Sequence, residues 1–220
     1  MKNKFFILLV ICFSLIIDIY AQVPYFAGTV GTNKLYCYTS FKFKPGKNAQ
    51  ETYTTFQYGL SGSFATGIDL YTGGTAVNNV GVLLRYGTNI NSYFNIGFQA
   101  TPTFDLANNM DFTHLTAALY INGAISKNGK FFWSGNTWWE INKANKNTAY
   151  QYFYLGYSVS LNNGQSITPM LGEIHSWKFD RDMDPALGFY YNIKNWNIYL
   201  WGNNFLTNNS RIVVGVDFVM

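Results

Sequence analysis

Beyond residue 33 the chain repeats one pattern about a dozen times: a short run in which apolar and polar side chains alternate, closed by Gly, Asn, Asp, Pro or Lys. Period two belongs to the β-strand, because successive side chains leave a strand on opposite faces. Helical periodicity is almost absent. The pattern predicts twelve strands, at 34–44, 49–60, 63–72, 80–88, 92–103, 112–125, 130–141, 150–161, 166–177, 186–193, 196–203 and 210–220. Residues 22–33 are a Gly- and Thr-containing lead-in with no predicted element. No repeat stands out and no linker divides the chain, so 22–220 reads as a single domain.

Alternation does not by itself say which face meets water. In the fifth strand Phe94, Ile96, Phe98 and Ala100 oppose Tyr93, Asn95, Gly97 and Gln99. In the sixth Leu115, Ala117, Leu119 and Ile121 oppose His114, Thr116, Ala118, Tyr120 and Asn122. The eighth and the last strands behave alike. A soluble sheet puts Lys, Glu and Thr on its wet face, and edge charges guard against aggregation. Here the polar face holds Gly, Tyr, Asn, Ser and Thr. Charged residues make up 12% of the chain, about half the usual share. That composition fits the crowded inside of a closed barrel whose apolar face points into lipid. Strands in lipid have no water for their backbone groups, so closure is required. The expected fold is all-β: an antiparallel transmembrane β-barrel of about twelve strands. A ten-stranded barrel and a soluble β-barrel are the alternatives.

The connections point the same way. Ser61-Gly62, Thr88 to Asn91, Ser126 to Gly129, Asn162 to Gln165 and Lys194-Asn195 are short. Gly73 to Asn79, Phe104 to Asp111, Asn142 to Ala149, Lys178 to Pro185 and Asn204 to Asn209 are longer. Pro45 to Asn48 breaks the trend. Short turns at one end and longer loops at the other mark an outer-membrane barrel. Aromatic residues gather near strand ends, as in Phe131-Phe132-Trp133, Trp138-Trp139, Tyr150/Tyr152/Tyr154 and Tyr190/Trp196/Tyr199/Trp201. They read as two interfacial girdles.

Residues 1–21 read as an export signal: Lys2 and Lys4, an apolar stretch from Phe5 to Ile17, and a small residue, Ala21, at the cleavage point. Removal leaves Cys37 as the one cysteine, so no intrachain disulfide is expected. The formal net charge of +4 carries no basic cluster, and no nucleic-acid partner is expected.

The chain ends Val213-Val214-Gly215-Val216-Asp217-Phe218-Val219-Met220. This resembles the C-terminal β-signal of Gram-negative outer-membrane β-barrels: a Gly with hydrophobic residues three and five positions on, here Gly215, Phe218 and Met220. The last residue is Met where Phe is frequent. The resemblance implies export through the periplasm and insertion into the outer membrane by the barrel-assembly machinery. Outer-membrane lipid and lipopolysaccharide are then the surrounding partners.

The expected lumen-lining charges are Lys42, Glu51, Asp69, Arg85, Glu140, Arg211 and Asp217. Glu173 and His175 join them if Pro169 marks a bulge that switches faces. An Arg on the lipid face would cost roughly 2–4 kcal/mol at the midplane, so inward placement is favoured. In an open lumen these charges set ion preference; in a closed one they pair, Asp69 with Arg85 for example. Asp180, Asp182 and Asp184 imitate the start of a calcium loop, but Pro185 replaces the Gly such a loop needs. No metal and no cofactor are expected. Some outer-membrane barrels are lipid hydrolases with a His and a Ser two apart. Here His175 and Ser176 are adjacent, and His114 is followed two on by Thr116, so no enzyme is expected. The first functional expectation is a small monomeric barrel forming a narrow porin-like channel for small polar solutes. The second is a non-transporting structural or surface-interaction, adhesin-like barrel. An outer-membrane lipid hydrolase is third.

Overall fold

The computed structural model describes residues 27–44, 50–73, 76–91, 93–142, 147–176, 184–203 and 210–220. The expected export signal and the lead-in up to residue 26 lie outside these residues. Strands follow one another along the chain: β1 (Leu35–Phe43), β2 (Gln50–Gly59), β3 (Phe64–Gly73), β4 (Ala76–Asn91), β5 (Phe94–Asp105), β6 (Asp111–Ala124), β7 (Phe131–Asn142), β8 (Thr148–Tyr157), β9 (Val159–Ser160), β10 (Gln165–Ser176), β11 (Asp184–Ile193), β12 (Trp196–Asn203) and β13 (Arg211–Val219). Each pairs antiparallel with its neighbours, and β13 pairs with β1, so the sheet closes on itself. Closure reaches the last residue: Met220 N donates to Leu35 O at 2.7 Å, and Leu35 N donates to Met220 O at 3.0 Å.

The barrel has twelve staves because β8 and β9 are two pieces of one. β8 pairs with β10 as far as Gly156↔Met170, and β9 resumes the ladder at Val159↔Ile167. Pro169 stands opposite the gap and has no N–H to give. Ser158 N turns the other way and donates to Lys130 O at 2.8 Å. Alternation continues through Pro169: Thr168 and Met170 are buried, while Pro169 and Leu171 are exposed. No register shift occurs along β10 against β11. The face switch expected at Pro169 is therefore corrected. The ring interrupts the ladder without inserting a residue.

A second correction concerns the connection at 73–79. Most of it is strand, leaving 74–75 between β3 and β4. The ladder pairs Tyr71 with Asn79 and Thr72 with Val77, so Asn78 is an extra, bulged residue. Pairing with β3 overrides the turn preference of Asn78-Asn79.

The two faces invert the rule of soluble proteins. On β4, Leu84 is 55% exposed while its neighbour Arg85 is 8% exposed. Phe41, Phe56, Ile68, Phe98, Leu155, Leu187, Leu200 and Val214 are likewise exposed on the outer wall. Tyr, Thr, Asn, Gln and Gly occupy the inner positions. The apolar band faces outward, as it does in barrels solvated by lipid.

The barrel's two ends are distinct. The base is the end where β1 begins and β13 ends, with the connections 60–63, 125–130, 161–164 and 194–195. The mouth is the opposite end.

Candidate functional site

The lumen of the mouth half is a cavity of about 580 Å³. It is lined by Lys42, Glu51, Asn78, His114, Glu140, Tyr150 and Arg211 toward the mouth, and by Tyr36, Tyr38, Arg85, Tyr120 and Trp201 deeper in. Of the nine expected lumenal groups, Lys42, Glu51, Arg85, Glu140 and Arg211 line this cavity. Lys42 and Glu51 are cross-strand partners, with Nζ 2.9 Å from Oε2, and Lys44 approaches the same carboxylate at 3.4 Å. These exposed pairs contribute about 0–1 kcal/mol each.

Asp69 and Asp217 also point inward, but packing encloses both. Asp69 sits among the hydroxyls of Tyr53, Thr55 and Thr101. Asp217 accepts a 2.9 Å hydrogen bond from Asn197 Nδ2 near the base. Asp69 and Arg85 stand on the paired strands β3 and β4 and interact electrostatically, without direct cross-strand pairing. The register sets Asp69 against Gly81 and Arg85 against Ala65, so the two are not opposite one another. The Arg85 guanidinium carbon lies 4.4 Å from the centre of the Tyr120 ring. Such cation–π contact strengthens where water is scarce.

Glu173 falls outside the lumen, a correction that follows from the unbroken register at Pro169. It shares its face with Leu171, while Gly172 and Ile174 take the inner positions, and Ile174 lines the cavity. His175 stands in register with Gln151, at the same end of β10. Asp180 and Asp182 lie outside the described residues; Asp184 opens β11 opposite Ile174. His114 contacts the Thr113 hydroxyl at 3.0 Å and the Tyr71 ring at 6.2 Å, and neither partner is a serine.

Of the aromatic residues expected in two girdles, Trp139 and Phe189 are exposed on the outer wall, Phe189 in the middle of β11. Phe132, Tyr154, Tyr190, Tyr199 and Trp201 are buried inside the barrel. Alternation splits each cluster between the two faces. Inside, ring contacts run without a break from His114 through Tyr71, Tyr53, Tyr38, Tyr199, Tyr190, Trp201 and Tyr154 to Tyr152. Hydrogen bonds tie this chain together: the Tyr38 and Tyr199 hydroxyls bond each other, and Trp201 Nε1 donates to Tyr190 Oη at 2.9 Å. Tyr120 Oη donates to Gln99 Oε1 at 2.9 Å. On the cavity wall, Tyr36 Oη and Trp138 Nε1 have no protein partner.

The base half is filled. Phe132, Tyr154, Met170, Tyr190 and Tyr199 pack there from β7, β8, β10, β11 and β12. On the β2–β6 side the inner wall is small, with Gly59, Ala65, Gly87, Gly97 and Ala118. The lead-in residues 27–34 fill that side. Ala27, Thr29 and Val30 are 0%, 5% and 6% exposed. Ala27 N donates to Asn122 Oδ1 at 2.7 Å, Thr29 Oγ1 to Gly62 O at 2.9 Å, and Asn33 N to Gly59 O at 2.8 Å. A Cβ at Gly87 or Gly97 would collide with the Ala27 carbonyl oxygen, and one at Gly59 with that of Gly31. Only glycine permits so close a backbone approach.

The C-terminal signal residues have structural places. Gly215 faces inward beneath the Tyr199 ring, where a Cβ would clash. Phe218 packs on Trp196 at 4.4 Å between ring centres. Met220 completes the seam with β1.

No protein-family model matches the sequence, and no curated protein matches it. Solved structures do match. The KdgM porin superposes with a TM-score of 0.57 at 12% identity, over 83% of this chain and 98% of that one. The NanC porin gives 0.56 at 13% identity, over 83% and 98%. The chain has the fold of the outer-membrane porins. At these identities the likeness is one of architecture, because a shared fold hosts many activities. Both comparisons cover almost the whole length of the porin, so the barrel is matched as a complete unit.

Proposed function

We propose that this barrel is a porin-like channel of a Gram-negative outer membrane. In this reading its mouth faces outward and its base faces the periplasm. It stands in outer-membrane lipid and lipopolysaccharide as a monomer, inserted by the barrel-assembly machinery, and it performs no covalent chemistry. It admits small polar solutes that carry little charge. The observation that carries the reading is the cavity at the mouth, whose wall combines aromatic faces, hydroxyls and amides with a few charges of both signs. Lys42, Arg85 and Arg211 oppose Glu51 and Glu140, so neither anions nor cations gain a one-sided field. Aromatic faces give a solute's apolar edges a surface, and the polar side chains of Thr52, Thr72 and Asn79 on the wall give its polar groups partners. The porin architecture supports the same reading. One solved KdgM complex holds oligogalacturonate. The mixed charge of the present mouth favours a neutral solute over a polyanion of that kind.

Liposome swelling tests the proposal. Folded protein in liposomes should admit neutral monosaccharides faster than disaccharides, and singly charged ions of either sign at comparable rates. Swelling no faster than that of empty liposomes for every solute would favour the non-transporting barrel, for which the filled base is the supporting observation.

A further inference from the structure

The wall of the barrel is complete without residues 27–34. β1 begins at Leu35 and pairs with both β2 and β13, and residues 27–34 form no strand. Residues just ahead of a first strand are ordinarily exposed and frayed. Here Ala27, Thr29 and Val30 are among the most buried residues of the chain, while Thr32 and Asn33 are exposed. The sequence Ala-Gly-Thr-Val-Gly-Thr-Asn carries no charge and two glycines, so it can lie against a wall without side chains in the way. That wall is built for it. The inner glycines of β2, β4 and β5 stand where its carbonyl oxygens pass, and Asn122 of β6 receives its first described amide. Val30 then joins it to the aromatic packing of the opposite side, alongside Tyr36, Tyr38 and Tyr199.

The two halves of the base are thus closed by different means. One is closed by large side chains fixed to the wall. The other is closed by a separate length of chain held by Val30 and by five hydrogen bonds, the three above together with Gly59 N to Lys34 O at 2.9 Å and Tyr58 Oη to Asn33 Oδ1 at 3.1 Å. Large side chains cannot leave their strands, but a tethered segment can.

We propose that residues 27–34 are a gate in the base, seated on Gly59, Gly87, Gly97 and Asn122, and that solute leaves the cavity through the base when this segment lifts. The proposal rests on the channel reading above and adds its regulation. Lifting exposes the small-residue side of the base and extends the cavity toward the periplasm.

The test uses the full mature chain in a planar bilayer, with Cys37→Ser as background. Two changes are compared with it. Gly87→Ala with Gly97→Ala places methyl groups where the Ala27 carbonyl sits. Ala27→Cys with Asn122→Cys permits a disulfide that fixes the segment in its seat. Heat-modifiable migration first establishes that each variant is folded. The alanine pair is expected to raise mean conductance at least about threefold, and the oxidised cysteine pair to fall to about a third of its reduced value, since conductance follows the narrowest cross-section. Reductant should restore it in the same sample. Equal conductance in the oxidised and reduced states would overturn the gate while leaving the channel. Failure of the disulfide to form under oxidation would place the segment elsewhere and also overturn the gate. No conductance from any protein in either state would overturn the channel reading, and the gate with it.

Discussion

The mouth and the base of this lumen are built from the same staves, yet they solve opposite problems. At the mouth, inner positions carry Lys42, Glu51, Glu140 and Arg211 around a cavity. At the base, the same staves carry Phe132, Tyr190 and Tyr199, buried in one aromatic cluster. Twelve strands enclose more space than the side-chain-filled eight-stranded barrels and less than the open sixteen-stranded porins. A barrel of this size can go either way, and this one goes both ways along its axis. Its strand number therefore does not decide whether it is open. The size of the inner side chain at each level does.

The comparison can be broken most forcefully at the base. Tyr199→Ala removes a ring that contacts Tyr38 and Tyr190 and covers Gly215. The expected loss is about 3–5 kcal/mol of stability, as for other large-to-small changes in packed interiors, read from urea unfolding in detergent micelles. A loss under about 1 kcal/mol would mean that the base is loosely packed. Next is the contrast between faces. Leu84→Arg puts a charge on the lipid face and should cost about 2–4 kcal/mol in folding from urea into bilayers. Ser40→Arg, on an inner position of the cavity wall, should cost far less. Equal costs would contradict the assignment of inside and outside. The mouth itself should be tolerant: Glu140→Lys is expected to change stability by less than about 1 kcal/mol, because the group is exposed. It should shift the reversal potential in a salt gradient toward anion preference. The smallest effect belongs to a single hydrogen bond. Tyr38→Phe keeps the ring stacking with Tyr199 and removes one hydroxyl, for an expected loss of about 0.5–1.5 kcal/mol.

The staves were legible in the sequence because period two is a local signal. Strand existence and the outward apolar face follow from residues within one strand. What failed to follow depended on neighbours. Asn78-Asn79 reads as a turn until β3 pairs with it. Pro169 reads as a place where the face could switch, but a missing N–H breaks a ladder without adding a residue, so Glu173 stays outside. Paired aromatics such as Trp138-Trp139 read as an interfacial belt, although adjacent residues on a strand must point opposite ways. Parity assigned Lys42, Glu51, Asp69, Arg85, Glu140, Arg211 and Asp217 to the interior. It could not say that Asp69 and Asp217 are enclosed by packing while Lys42 and Glu140 line a cavity, because height along the axis matters only once staves are set side by side. The lead-in was least legible. Ala27 to Lys34 has no periodicity, and its place is set by glycines sixty residues away or more in the cases of Gly87 and Gly97.

The asymmetry between mouth and base is most directly tested by thiol labelling. In a Cys37→Ser background, one cysteine is introduced at the mouth (Ser40→Cys) and, in a separate protein, one on the inner wall near the base start of β7 (Ser134→Cys). Both proteins are reconstituted in liposomes and exposed to a small hydrophilic maleimide. Rapid labelling at residue 40, with residue 134 protected until the barrel is unfolded, is the predicted result. Equally fast labelling of both would describe an open pore, and protection of both a solid barrel; either would contradict a lumen open at one end and filled at the other.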